Sequence, residues 1–300
     1  MYNGQNMCSV NAKVTNSHAF YTQKFMVLWR VVEMFGKFCI ILLGRRVPKN
    51  RPPRHTMMYK KLVIIPTYLE SENVARMVEA VLTLSEPFDL LIIDDGSPDG
   101  TADIVRNLQS DWPERLFLIE RPGKLGLGTA YITGFRWALE HNYDYIFEMD
   151  CDFSHNPNDL PLLYNRALSG SDVVVGSRYV QGVNVVHWPM RRLLISFCAS
   201  HYVRTVTGMP VRDATAGFVC YSADVLRKID LDNIRMKGYG FQIEMKYTAW
   251  QLGFNIGEVP IIFVDRTQGV SKMSSSIFGE AFWGVIALRL RNIKPAAPTK

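Results

Sequence analysis

The sequence predicts an α/β fold built on a mostly parallel, doubly wound central sheet. Three observations predict it. Nearly half of the 300 residues are apolar, enough for a sizeable core. From residue 61, short β-rich apolar runs alternate with stretches of helical periodicity. Polar, turn-rich segments then follow the apolar runs, at the strand ends where such sheets bind ligands.

The elements follow in order. "KLVIIPTY" (61–68) is a β-rich run closed by Pro66, and "SENVARMVEAVLTL" (71–84) has helical spacing with Ser71 as its expected N-cap. "FDLLIIDD" (88–95) reads as a second buried strand and "TADIVRNLQ" (101–109) as a helix starting at Thr101. "RLFLIER" (115–121) and "GLGTAYITGFRWALEH" (126–141) make a third unit. "YDYIFEMD" (143–150) and "SDVVVGSR" (171–178) supply two further strands. The polar segments "PTYLESEN", "DDGSPDGT", "DCDFSH" and "GSR" follow the first, second, fourth and fifth of these strands.

Charge narrows the function classes. The formal net charge is +6, but residues 1–56 hold nine basic residues and one acid, leaving −2 over 57–300. Basicity confined to an extension argues against a nucleic-acid-binding chain. Five scattered cysteines without a C-x-x-C pair argue against a disulfide framework or zinc site and fit a reducing cytosol. Within 1–56, the apolar stretch 20–43 is interrupted by Arg30, Glu33 and Lys37, which a membrane span would have to bury. The extension reads as an accessory segment ending in the linker before Met57 and Met58, as a helix lying in the membrane interface, or, against the cost of those charges, as a true span.

Asp150 and Asp152 stand at the end of a buried strand. An Asp-x-Asp pair alone is weak, since roughly one chance match is expected in a chain this long. At a strand's carboxyl end, however, it can present oxygens to Mg²⁺ or Mn²⁺ already held by a diphosphate. His155 reads as a loop residue, and Cys151 as offering backbone or packing inward. The tandem acids of "DDGSPDGT" suit a base or ribose. No G-x-G-x-x-G follows a strand, and "GKLGLGTA" lacks the Walker ending, which argues against a dinucleotide oxidoreductase or P-loop NTPase.

Taken together, "IIPTYLESEN", "IIDDGSPDGT", "RPGKLGLGTAY", "MDCDFSHNP", "GSRYV", "GYGFQIEM" and "FVDRTQGVSK" resemble glycosyltransferase family 2, most of all its polyprenyl (dolichyl) phosphate mannosyltransferases, over about residues 60–292. The resemblance implies a GT-A (Rossmann-like) catalytic domain over 57–275, working at the cytosolic face. The implied reaction transfers mannose with inversion from GDP-mannose to a polyprenyl monophosphate. It implies nucleotide-sugar contacts at Pro66, Tyr68, Glu70, Ile93, Asp95, Asp150, Cys151, Asp152, Arg178, Arg266 and Lys272. Asp150 and Asp152 would carry the metal, and with Arg178 and Lys272 form the catalytic set. The lipid phosphate, with a second pKa near ~6, is largely ionised at neutral pH and needs no general base. The chain departs from the pattern at Leu69, where Asn is usual, and at Val219 in "DATAGFVCY", where a basic residue is usual. A basic side chain at 219 would meet a phosphate or the acceptor, and Arg191, Arg192 and Arg212 are candidates to do so in its place.

A lipid acceptor requires membrane contact. In the amphipathic segment 276–300, Ile277, Phe278, Ala281, Phe282, Val285 and Ile286 form an apolar stripe followed by Arg289, Arg291 and Lys294, and 188–203 has a similar mixture. Core packing explains both segments equally well. The resemblance is to the type without paired transmembrane segments, which implies a peripheral protein with a possible small membrane-anchoring partner. The alternatives are a hexosyltransferase using a UDP-sugar and a nucleotide-sugar-binding protein without turnover.

Overall fold

The computed structural model describes residues 58–265 and 276–296. The extension 1–56, Arg266 and Lys272 therefore lie outside the described residues. The first strands are β1 (Lys61–Thr67), β2 (Asp89–Asp94), β3 (Leu116–Glu120), β4 (Tyr145–Glu148) and β5 (Val173–Ser177). Then come β6 (Val185–Val186), β7 (Val219–Ser222), β8 (Ile256–Pro260) and β9 (Phe263–Val264). The α-helices are α1 (Val74–Leu82), α2 (Thr101–Leu108), α3 (Leu127–Glu140), α4 (Leu160–Leu168), α5 (Met190–Thr207), α6 (Ala223–Lys228), α7 (Tyr239–Gln251) and α8 (Ser276–Leu290).

Seven strands form one sheet in the order β3-β2-β1-β4-β7-β5-β8, and β6 pairs with β9. β7 alone runs antiparallel to its neighbours, so its first residues reach the edge where β1, β2, β4 and β5 end. The chain winds outward from β1 toward both sides, which opens a crevice at the carboxyl ends of β1 and β4.

Strand residues alternate between two cores, as a sheet covered on both faces requires. Leu62, Ile64, Leu91 and Ile93 meet α3 and α7, whereas Val63, Ile65, Leu90 and Ile92 meet α1 and α4. Gly134 lets α3 approach the sheet closely, since a Cβ there would stand 2.8 Å from Ile64 Cδ1.

One boundary differs from expectation. The first helix is capped at Asn73 and not at Ser71, whose N–H donates instead to Asp99 Oδ2 at 3.1 Å. A tertiary acceptor thus holds the segment before the helix in a turn.

Candidate active site

The loops after β1 and β2 are stitched together by the side chains of "DDGSPDGT". Asp94 accepts from Thr67 Oγ1 at 2.9 Å, Ser97 Oγ at 2.6 Å and Ser97 N at 2.8 Å, so it serves the turn. Ser97 Oγ in turn accepts from Leu69 N at 3.0 Å, and Thr101 Oγ1 from Glu70 N at 3.1 Å. These bonds hold Leu69 at φ +60°, which explains why Asn is usual there: its short polar side chain tolerates the left-handed region. Leu69→Asn is expected to stabilise the protein by about 0.5–1 kcal/mol, because the left-handed conformation penalises Leu by about 1–2 kcal/mol. A urea midpoint no higher than wild type would show that the surrounding contacts had already relaxed that strain.

Asp95 differs from Asp94. Its Oδ1 accepts from Arg121 Nε at 2.6 Å, and Arg121 also reaches Thr129 Oγ1 at 2.8 Å. Both partners of this ion pair are buried. Sequence reasoning did not single out Arg121, although it opens "RPGKLGLGTAY" directly after β3. Tyr68 stands beside Asp95's loop with Lys124 Nζ 4.8 Å from its ring centre. Glu70 accepts from Asn73 Nδ2 at 2.9 Å. Pro66 lies in β1 opposite Ile93, and the Ile93 side chain is in the core, leaving its backbone as the part available to a ligand.

β4 delivers Asp150 and Asp152 to the crevice. Phe153, at φ +57°, turns the chain, and Ser154 N donates to Asp152 Oδ1 at 3.0 Å. The Asp150 side chain is 40% exposed. Cys151 packs into the α1–α4 core, and burial pushes its thiol well up, with Glu70 and both flanking aspartates adding to the effect. Two carboxylates therefore face the crevice without a soft ligand between them. Among the described residues no group of three or more His, Cys, Asp and Glu could hold a metal. The donor set fits a hard cation whose shell is completed by water and diphosphate oxygens.

His155 is wholly buried against Phe218, ring centres 5.0 Å apart. Its Nδ1 accepts from Asp150 N at 3.3 Å. Burial lowers its pKa to about 4, opposed by Asp152 and reinforced by Arg178, so the ring is neutral. The unfolded chain protonates near ~6.5, before the native state does, so the stability from this neutral ring is complete above that pH and lost as pH falls toward 4. His155→Asn should therefore flatten the fall in urea midpoint between pH 7 and 4.5. Parallel pH profiles for variant and wild type would remove His155 as the responsible group.

Arg178 follows β5. Its Nε and Nη2 meet Asp213 Oδ2 and Oδ1 at 2.7 and 2.6 Å, and Nη2 also meets Thr215 Oγ1 at 2.9 Å. The rings of Tyr179, Trp188 and Phe263 lie 5.3, 5.4 and 5.6 Å from the guanidinium. Burial lowers its pKa, and Asp213 more than offsets this, so the group is held charged with its plane fixed. Val219 is fully buried on β7 opposite Glu148 and Val175, so its side chain belongs to the core. Of the three arginines that could stand in for a basic residue there, Arg192 pairs with Asp265 at 2.8 Å and lies 4.2 Å over Trp188, close to Arg178's aromatic surround. Arg212 Nη1 donates to Val180 O at 2.7 Å, and Arg191 is exposed. Glu148, Gln242 and Lys246 lie buried beneath the crevice, and burial pushes the Glu148 carboxyl up to about 8 against the pull of Lys246 and Gln242.

Comparison with known proteins bears on the family and the fold. The chain is 43% identical over 240 residues to polyprenol monophosphomannose synthase of Mycolicibacterium smegmatis, covering 78% of this chain and 89% of that one. It is 46% identical over 231 residues to undecaprenyl-phosphate mannosyltransferase of Micrococcus luteus, covering 75% and 94%. In fold it resembles the crystal structure of glucosyl-3-phosphoglycerate synthase from Mycobacterium tuberculosis in complex with Mn²⁺, uridine diphosphate and glucosyl-3-phosphoglycerate. That match has a TM-score of 0.55 at 18% identity and covers 77% of this chain and 79% of that one. Residues 62–233 match the Glycosyl transferase family 2 model. With the strand-edge carboxylates, the mostly parallel GT-A sheet and relatives of this identity, the chain belongs to glycosyl transferase family 2.

Proposed function

We propose that this chain transfers mannose from GDP-mannose to a polyprenyl (dolichyl-type) monophosphate, with inversion. The observation that carries the reading is the juxtaposition of Asp150 and Asp152 with the Tyr68–Glu70 and Asp95 loops at one crevice, in a chain 43–46% identical to relatives named for mannosyl transfer to polyprenyl phosphates. Pro66, Tyr68, Glu70, Ile93, Asp95 and Cys151 contact the nucleotide, the last through its backbone. Asp150 and Asp152 hold Mg²⁺ or Mn²⁺. When bound, the cation supplies Lewis-acid stabilisation of the diphosphate's charge. Arg178, with Arg266 and Lys272, offsets the phosphate charges of donor and acceptor. The ionised lipid phosphate attacks the anomeric carbon opposite the leaving nucleoside diphosphate, which inverts that centre.

The acceptor side has its own support. A cavity of about 190 Å³ is lined by Tyr179, Phe197, His201, Arg204 and Arg212, beside the segments that carry Arg178 and Asp213. α5 holds no acid but carries Arg191, Arg192 and Arg204, and leaves Met190, Leu194, Ile195 and Phe197 exposed. α8 packs on α5, with Tyr202 OH donating to Phe282 O at 2.9 Å, and leaves Phe282, Trp283 and Leu290 exposed. The stripe expected on 276–293 is thus divided, since Val285 is buried in the core whereas Phe282 is exposed. Among the described residues no helix is long and apolar enough to cross a membrane. These exposed side chains support peripheral contact with the cytoplasmic membrane face, with 57–275 as the catalytic domain and 276–300 as the amphipathic segment. The basic extension 1–56, or a small membrane partner, adds anchoring.

The test is incubation with Mg²⁺ or Mn²⁺, a short polyprenyl phosphate, and GDP-mannose or UDP-glucose separately, followed by mass spectrometry. Mannolipid only with metal and GDP-mannose is expected. Glucolipid alone overturns the donor, and donor binding without product overturns turnover.

A further inference from the structure

Lys246 is fully buried on α7 and no part of the proposed chemistry uses it. Its Nζ donates to Ala216 O at 2.7 Å, Ala214 O at 3.1 Å and Gln242 O at 3.2 Å. A buried ammonium of this kind is a weak source of stability, because desolvation costs several kcal/mol and an apolar side chain of similar volume often packs as well. Glu148 is its buried charge neighbour, and the three carbonyls that Nζ holds point to a geometric role beside that pairing.

That geometry concerns residues 213–216. Asp213 and Thr215 turn their side chains to Arg178, while the carbonyls of Ala214 and Ala216 meet Lys246. Successive residues thus alternate between two cations. Asp213 N is further held by Glu258 Oε1 at 3.0 Å, so the segment is fixed at its start by Glu258 and along its length by Lys246. Phe218, where the segment enters β7, carries the ring of His155, which accepts the Asp150 amide. The clamp reaches the crevice from both of its charged sides.

We propose that Lys246 is a positioning residue for glycosyl transfer: by holding the Ala214 and Ala216 carbonyls it sets the segment through which Asp213 and Thr215 aim Arg178 at phosphate. The inference rests on the role given to Arg178 above. Lys246 touches no substrate and acts only through the aim of Arg178, so its loss should cost more in rate than in donor affinity, which Asp150, Asp152 and the nucleotide loops also carry. A displacement on the order of 1 Å in such an arrangement can cost ~10²-fold in rate.

The experiment measures kcat per folded protein and the Kd of GDP for Lys246→Met, Lys246→Gln, Thr215→Val and the paired variants. Lys246→Met is expected to lower kcat at least about tenfold with the Kd of GDP within about threefold, and Thr215→Val should add little in that background. Wild-type kcat in folded Lys246→Met, or full additivity with Thr215→Val, overturns the proposal. Should Lys246→Met not fold, the same cycle with Lys246→Gln decides by the same criteria. Arg178→Lys separates the two levels. Wild-type transfer by Arg178→Lys overturns the role given to Arg178 and this inference with it. Loss in Arg178→Lys beside wild-type kcat in Lys246→Met overturns this inference alone.

Discussion

Asp152→Ala is expected to lower transfer at least about 10³-fold while leaving the protein folded. The two parts of that expectation have separate causes. Folding should survive because the Asp152 side chain is only partly buried and its bond from Ser154 N, at 3.0 Å, is a local one worth about 0.5–1.5 kcal/mol. Transfer fails because the crevice offers a divalent cation two carboxylates from this strand end, and one alone holds it weakly. Asp152→Asn sharpens the result, since it keeps an oxygen for the Ser154 amide and removes the charge. Metal binding in the presence of GDP, followed by Mn²⁺ electron paramagnetic resonance, should weaken in both variants. Undiminished transfer by Asp152→Ala would sink the assignment of the pair.

Asp213→Ala should be strongly destabilising, by about 3–5 kcal/mol, because it strands the buried Arg178 guanidinium. Arg178 is 6% exposed and Asp213 fully buried, so water cannot take the carboxylate's place without the site opening. In a protein of this size the loss corresponds to roughly 10 °C in Tm. Replacing both partners, Arg178→Met with Asp213→Leu, should restore much of the stability, since an apolar pair of similar volume carries no desolvation penalty. It should not restore transfer. Recovery of transfer in the paired variant would show the ion pair to be scaffold alone, and a Tm within about 2 °C of wild type for Asp213→Ala would show that the pair is solvated.

The difference between these residues in legibility is physical. Asp150 and Asp152 could be read from the chain because they sit one residue apart behind an apolar run, a local pattern. Arg178 was legible as part of "GSR", but its partner stands 35 residues away in a segment with no periodicity to announce it. Arg121 pairs with Asp95 across 26 residues, and Lys246 reaches carbonyls 30 and 32 residues back. Leu69 is a simple departure from a motif until its backbone angle supplies the reason. Val219 reads in the sequence as a missing charge, and the structure places it in the core.

By itself the sequence determined the first five strands, the three helices that link the first four of them, and the edge on which the polar segments gather. Hydrophobic period and turn chemistry act over a few residues and need no distant partner. Only the tertiary structure decided that β7 enters the sheet antiparallel, which brings 213–218 to the crevice and gives Arg178 and Lys246 opposite sides of one segment. Strand pairing and buried polar contacts are set by which surfaces and which donors meet after the chain has folded back, and one-dimensional spacing does not encode those meetings.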